Sequence, residues 1–290
     1  IGINSAKYAT IGGNFIPSEN IGEVLNQGID ACVNWNDKVG EDFTYNLGLN
    51  ITFTKNKLRK TNELSNIEDY RKSIGQPTSA IFGWQSQGLF GKDVAIAGHP
   101  FQSFGNYQVG DIAYADLNND GMVDTNDLTR IGQSFPKTTL GVDVTLNYKG
   151  FGLYILGTAT TGVTQMLTST YYWNKGLDGY SVLAEDRYHP VNNPTGTQPR
   201  LTTTSGVNNY RNSTFWTKNG SFFRLKNVEL SYTLNNNSKK GIGKNYKFFV
   251  RGANLFVLSG IKELDPEQML AGISNYPVYR TITGGVSINF

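Results

Sequence analysis

From Phe43 to Thr54 the chain alternates without a break. Phe43, Tyr45, Leu47, Leu49, Ile51 and Phe53 share one parity, and Thr44, Asn46, Gly48, Asn50, Thr52 and Thr54 share the other. Successive side chains of an extended chain point to opposite faces, so this stretch is a strand with one apolar face and one small, polar face. Leu140, Val142, Val144, Leu146 and Tyr148 repeat the pattern against Thr139, Gly141, Asp143, Thr145 and Asn147. Ile282, Gly284, Val286, Ile288 and Phe290 repeat it against Thr281, Thr283, Gly285, Ser287 and Asn289. A sheet made of such strands must lay its apolar face against something apolar, either a second protein layer or lipid.

Two features favour lipid. Six apolar positions with aromatics at both ends cover about one membrane thickness, and strand ends are where interfacial aromatic girdles sit. The chain also stops on Phe290, in phase with the apolar face. Outer-membrane barrels look like this: the last strand closes the barrel, and its terminal Phe is part of the signal that the insertion machinery reads. The expected fold class is all-β, an antiparallel transmembrane β-barrel segment with long extracellular loops.

The bulk numbers are compatible with that expectation. With 33 Gly, 16 Tyr and 16 Phe the composition is of β type. Mean hydropathy is −0.36, and no apolar run approaches the ~18 residues of a membrane helix, which excludes a helical span but not a barrel with a polar lumen. Net charge is +3, from 26 basic and 23 acidic residues, and no basic run is long enough to suggest nucleic acid. The length allows one large β domain or two ordinary ones. Cys32 is alone, so no internal disulfide forms; it lies at a polar-parity position and reads as incidental. The sequence has neither an initial Met nor a signal peptide and is expected to be mature or truncated.

Along the chain, Ile29, Ala31, Val33 and Trp35 give a first strand. A short β stretch is expected near Ile81–Phe90. The two-residue turn Lys149-Gly150 pairs Tyr148 with Phe151 on one face. In Phe222–Leu234 the parity of Phe223 and Leu225 differs from that of Val228, Leu230, Tyr232 and Leu234, and a bulge near Asn227 would reconcile them. A strand from Tyr246 to Phe256 and the final strand bring the total to about eight. Lys55–Gln76 reads as a solvated connector. Gly162–Gly220 has no sustained period and holds Tyr171, Tyr172 and Trp173. A loop of this length is usually functional or disordered, and these aromatics would either stack on sugar, grip a peptide, or pack the loop on itself. His99 and His189 each precede a proline, and nothing in the chain argues catalysis.

The strongest local motif is Asp116-Leu-Asn118-Asn-Asp120-Gly121-Met122-Val-Asp124-Thr-Asn-Asp127. It fits the twelve-residue calcium loop, with oxygen side chains at positions 1, 3, 5 and 9, Gly at 6 and a carboxylate at 12. Asp116, Asn118, Asp120, the Met122 carbonyl, Asp124 and Asp127 would supply the ligands of a structural Ca²⁺. Position 12 is Asp and not Glu, which reaches less easily in bidentate fashion. The alternative is an Asp/Asn-rich turn that merely resembles the loop.

Several stretches now align together: Glu19–Asp30, Gly110–Asp127 followed by Arg130-Ile-Gly, Phe222-Phe-Arg-Leu-Lys-Asn-Val228, Gly252–Phe256, Leu264-Asp-Pro-Glu267, and Tyr276-Pro to Phe290. In this order they resemble the C-terminal part of SusC/RagA-type TonB-dependent transporters, over nearly the whole chain. The resemblance implies a 22-stranded barrel with an N-terminal plug, of which residues 1–290 would be the C-terminal part, without plug, TonB box and most strands. It also implies the outer membrane of a Gram-negative bacterium, a SusD-like lipoprotein lid, TonB acting through the missing part, and import of oligosaccharides or peptides. Two rivals stay open. A small self-closing barrel fills its interior with side chains, which Thr, Gly, Asn and Ser are too small to do. A soluble, calcium-stabilised carbohydrate-binding β module would stay in water without detergent.

Overall fold

A computed structural model describes residues 2–3, 18–19, 21–64, 66–176, 179–202, 208–235, 245–268 and 276–289. Seven long strands form one sheet: β1 (Glu23–Val39), β2 (Phe43–Lys60), β3 (Thr138–Tyr148), β4 (Phe151–Thr161), β5 (Phe222–Asn235), β6 (Asn245–Ser259) and β7 (Thr281–Asn289). Each pairs antiparallel with the next in sequence, so the sheet is a meander with β1 and β7 at its open edges. The eighth expected stretch lies outside it. Ala80–Gly83 pairs with Thr129–Gln133 and Ser86–Leu89 with Ile112–Tyr114, both within the connection between β2 and β3. That stretch lacks the sustained alternation of the sheet strands and is too short to span it.

The register confirms one apolar and one polar face. A single row crosses all seven strands through Trp35, Leu47, Val144, Ile155, Val228, Gly252 and Ile282. Among the described residues nothing is stacked on this face: Trp35 is 61% exposed, Leu230 57%, Val250 57% and Ile282 75%. Nearer one end, Phe43, Tyr148, Phe151, Tyr232 and Phe248 form an aromatic row ending at Val286. Ten residues separate Phe43 from Phe53; at ~3.4 Å per residue and a tilt near 40° they rise roughly 25 Å, the height of an apolar barrel band.

The turns are as local chemistry dictates. Lys149 (φ 47°) and Gly150 (φ 86°) both take positive φ, the geometry of a type I′ hairpin, and Tyr148 faces Phe151. The register of β5 shifts between Leu225 and Asn227, leaving Lys226 unpaired and returning Phe223 and Leu225 to the apolar face. Asn254, at φ 52°, lies in the matching irregularity of β6.

β1 and β2 outrun the apolar alternation. Their ladder continues from Ile29–Phe53 up to Glu23–Lys60, so Lys55–Lys60 is strand and not connector. Backbone pairing persists where the apolar side chains stop, because the ladder needs a partner strand and not an apolar face. The short connections, 40–42 and 149–150, lie at one end of the sheet. The long ones, 61–137, 162–221 and 260–280, lie at the other.

The only cluster of buried apolar residues among those described is in these long connections. Leu89, Ile112, Tyr114, Val123, Leu167, Tyr172, Tyr188, Trp216 and Ile261 pack together there. The described residues therefore form a sheet with an uncovered apolar face and a small packed layer at one end, held by its own core.

Candidate functional site

The layer at the long-connection end is tied by a buried polar network. The side chain of Gln102 donates to the Ile112 carbonyl and to Asn208 Oδ1, and accepts from Tyr114 N–H. Asn209 accepts from Ile112 N–H and donates to Asp111 Oδ1 at 2.8 Å. Arg200 closes on Asp111 from outside at 2.8 Å. The Tyr114 hydroxyl donates to the Asn208 carbonyl, and burial pushes its pKa far above the ordinary phenol value. These groups join 102–114 to 208–216, two segments without sequence periodicity. A single polar residue in a loop gives no signal of its partner, so this network was not legible beforehand.

The Asp116–Asp127 loop sits on this layer. Asn119 (φ 58°) and Gly121 (φ 88°) supply the left-handed positions of its sharp turn. Asp116 accepts from the N–H of Asn119 at 2.7 Å and of Gly121 at 2.9 Å. Asn118 Oδ1 accepts from Asp120 N–H, Asp120 from Met122 N–H, and Asp124 from Asn126 N–H. Asp127 is fully buried, and its two oxygens accept from Leu117 N–H at 2.6 Å and Asp124 N–H at 2.8 Å. Trp84 donates to the Asp124 carbonyl and Tyr70 to that of Asn126, anchoring the loop to 70–84. Among the described residues, no three Asp, Glu, His or Cys side chains converge as a metal cluster. The donors match a calcium loop in residue type and sequence spacing, and Asn119 and Gly121 give its sharp turn. Position twelve is occupied by backbone N–H groups.

Of the three aromatic candidates, Tyr172 is 3% exposed and belongs to the core. Its hydroxyl reaches Glu263 Oε2 at 3.4 Å. Burial and this carboxylate raise its pKa strongly. Tyr172 is therefore unavailable as a surface contact, because its ring is needed to pack the layer. Tyr171 and Trp173 are half-buried. Trp173 lies 5.8 Å from Tyr210 and 6.3 Å from Trp216, with Lys175 over its ring at 5.5 Å. Phe290 lies outside the described residues.

The 222–228 and 264–267 stretches, distant in sequence, meet here. Arg224 of β5, whose side chain is 2% exposed, donates through Nη2 to both Asp265 oxygens, at 2.7 and 2.8 Å, and its Nε lies 3.4 Å from Glu267 Oε2. Arg224 has the polar parity, so this pair draws the 264–267 segment over the polar face at the end of β5. Lower on that face, Glu229 accepts from Lys247 at 2.7 Å and Arg251 Nε at 2.9 Å. Gly48 faces Asp143, and a Cβ at Gly48 would lie 2.2 Å from its carboxylate. Tyr154, Leu156 and Phe249 share this face, which is bulkier than the Thr/Gly/Asn pattern foretold. The free Cys32 is exposed.

No protein-family model matches the chain. Among curated proteins, TonB-dependent receptor P26 of Formosa agariphila is 27% identical over 94% of this chain and 30% of its own length. TonB-dependent receptor SusC of Bacteroides thetaiotaomicron is 26% identical over 99% of this chain and 29% of its own. The chain thus spans about 30% of the length of the curated relatives it matches. A solved RagAB peptide importer in an open-open state superposes with TM-score 0.71 at 18% identity, covering 98% of this chain and 30% of that one. A RagAB peptide transporter structure superposes with TM-score 0.68.

Proposed function

From a sequence shared with SusC and other TonB-dependent receptors over nearly its whole length, and a fold shared with the RagAB importer, we propose that this chain is the C-terminal part of the barrel of an outer-membrane nutrient importer. The observation that carries the proposal is the bare apolar face. Seven strands present it in register, and burial of that much apolar surface needs either lipid or a second layer. The opposite face, with Glu229, Lys247, Arg251, Asp143 and many Asn, suits a water-filled lumen. The packed layer at the other end is the extracellular side, where a SusD-like lipoprotein docks. TonB acts through a part of the receptor outside this chain. The cargo is an oligosaccharide or a peptide, and the role is transport and not catalysis.

Calcium is part of the proposal. Asp116, Asn118, Asp120, the Met122 carbonyl and Asp124 would hold the ion. Asp127 joins them by giving up its bond to Leu117 N–H, so affinity is on the order of the 10⁻⁴–10⁻³ M of extracellular modules. The ion's contribution is to offset the mutual repulsion of four crowded carboxylates and fix the loop. Tyr171 and Trp173 remain contact candidates for cargo or lid. The test is fractionation of the intact receptor followed by uptake of labelled oligosaccharide and peptide pools with the proton-motive force on and off. Energised uptake by an outer-membrane protein is expected. A receptor that stays in the aqueous phase without detergent would overturn the proposal.

A further inference from the structure

The apolar stripe of β2 does not end in neutral polar residues. Phe43 to Phe53 point to one face, and the next residues of the same parity are Lys55 and Lys57. The pairing with β1 runs through Phe53, Lys55 and Lys57 without a shift, so these lysines lie on the same face as Phe53. They rise about 7 and 13 Å along the strand above Phe53, the level at which an acyl layer gives way to headgroups.

A cleft of about 340 Å³ lies beside them. Lys55, Lys57, Arg130 and Lys137 line it together with Phe135, and among the described residues no carboxylate does. Phe135 is 69% exposed. The Arg130 guanidinium is oriented by Gln76 Oε1 at 3.0 Å and Gln133 Oε1 at 3.1 Å, both neutral acceptors. Thr54 N–H donates to the Lys137 carbonyl at 2.8 Å, which fixes the 137 backbone beside β2. Nearby cations such as Arg59 and Lys72 are paired with Glu23 and Asp69. Among the described residues, the four lining the cleft have no salt-bridge partner.

We propose that this cleft is a docking site for the phosphate group of an outer-leaflet lipid. Four cations without a counter-charge, two of them (Lys55 and Lys57) in line with the apolar face, and an exposed Phe lining the same cleft complement a molecule with an anionic head and an acyl body. A free soluble anion would satisfy the charge but leave Phe135 and the adjoining apolar stripe unused. The inference rests on the membrane reading.

The experiment uses the intact receptor in phosphatidylcholine bilayers, with spin-labelled phosphatidic acid and spin-labelled phosphatidylcholine as probes of its lipid boundary. The receptor is expected to prefer phosphatidic acid. Lys55→Gln, Lys57→Gln, Arg130→Gln and Lys137→Gln should each reduce that preference, by up to about fivefold per cation. Lys38→Gln, of the opposite parity on β1, should leave it unchanged. A preference that survives the quadruple variant refutes the site. A preference abolished by millimolar inorganic phosphate also refutes it, assigning the cleft to a soluble anion. Failure of the membrane reading is separate, because the receptor then does not enter the bilayers at all.

Discussion

Arginine at Val144 and arginine at Thr145 should have opposite fates. Val144 pairs with Leu47 and Ile155 in the row that crosses every strand. It stands four residues from Tyr148, in the aromatic row, and six from Thr138, opposite Phe53, so it lies near the middle of the apolar band. A guanidinium there costs about 2–4 kcal/mol, a roughly 30- to 700-fold loss in the folding equilibrium. Thr145 pairs with Asn46 and Tyr154 on the polar face, where a long cation reaches water and Asp143 lies on the same strand face. Thr145→Arg should stay within about 0.5 kcal/mol of wild type, as surface substitutions usually do. The assay is urea-controlled folding of the intact receptor into lipid vesicles, followed by tryptophan fluorescence. Equal cost at both positions would refute the assignment of faces.

Three further outcomes follow from the outer layer and the terminus. Arg224→Met leaves Asp265 and Glu267 without their buried partner and should cost on the order of 3 kcal/mol; hydrogen exchange should rise across 260–268, and an unchanged pattern would remove the latch. Asp127→Ala strands the N–H groups of Leu117 and Asp124, at about 1–3 kcal/mol each if left unsatisfied. It should loosen 116–127 even without calcium, whereas Asp116→Ala should act mainly by weakening a millimolar-range calcium titration. Deleting Phe290 should lower the receptor's yield in the outer membrane; a normal yield would count against its role in assembly.

The sheet was largely legible in the sequence and the outer layer was not. Period-two alternation is local, so Phe43–Phe53 and Leu140–Tyr148 declare both their strand character and their faces. The bulge near Asn227 was legible for the same reason, since a parity change needs one extra residue. The extension of β2 through Lys60 was missed because ladder pairing continues after side-chain alternation has lost its apolar member. The core of the outer layer joins Leu89, Tyr172, Trp216 and Ile261, far apart in sequence and set in segments without period. Ligand contact and loop packing stay open for Tyr172 in the sequence because nothing local distinguishes it from Tyr171; the structure packs it into the core. The calcium-type loop was visible as a motif, but the turn of Asp127 towards backbone N–H groups depends on coordinates. The Arg224–Asp265 pair is likewise a meeting of distant stretches.

The most direct measurement uses Trp35, which stands 61% exposed in the same row as Val144. The intact receptor would be placed in bilayers whose acyl chains carry bromine near their ends, and its fluorescence compared with that of Trp35→Phe. Lipid contact predicts a quenched fraction that disappears in the variant. The same quenching in both proteins, or none in either, would contradict a lipid-facing sheet.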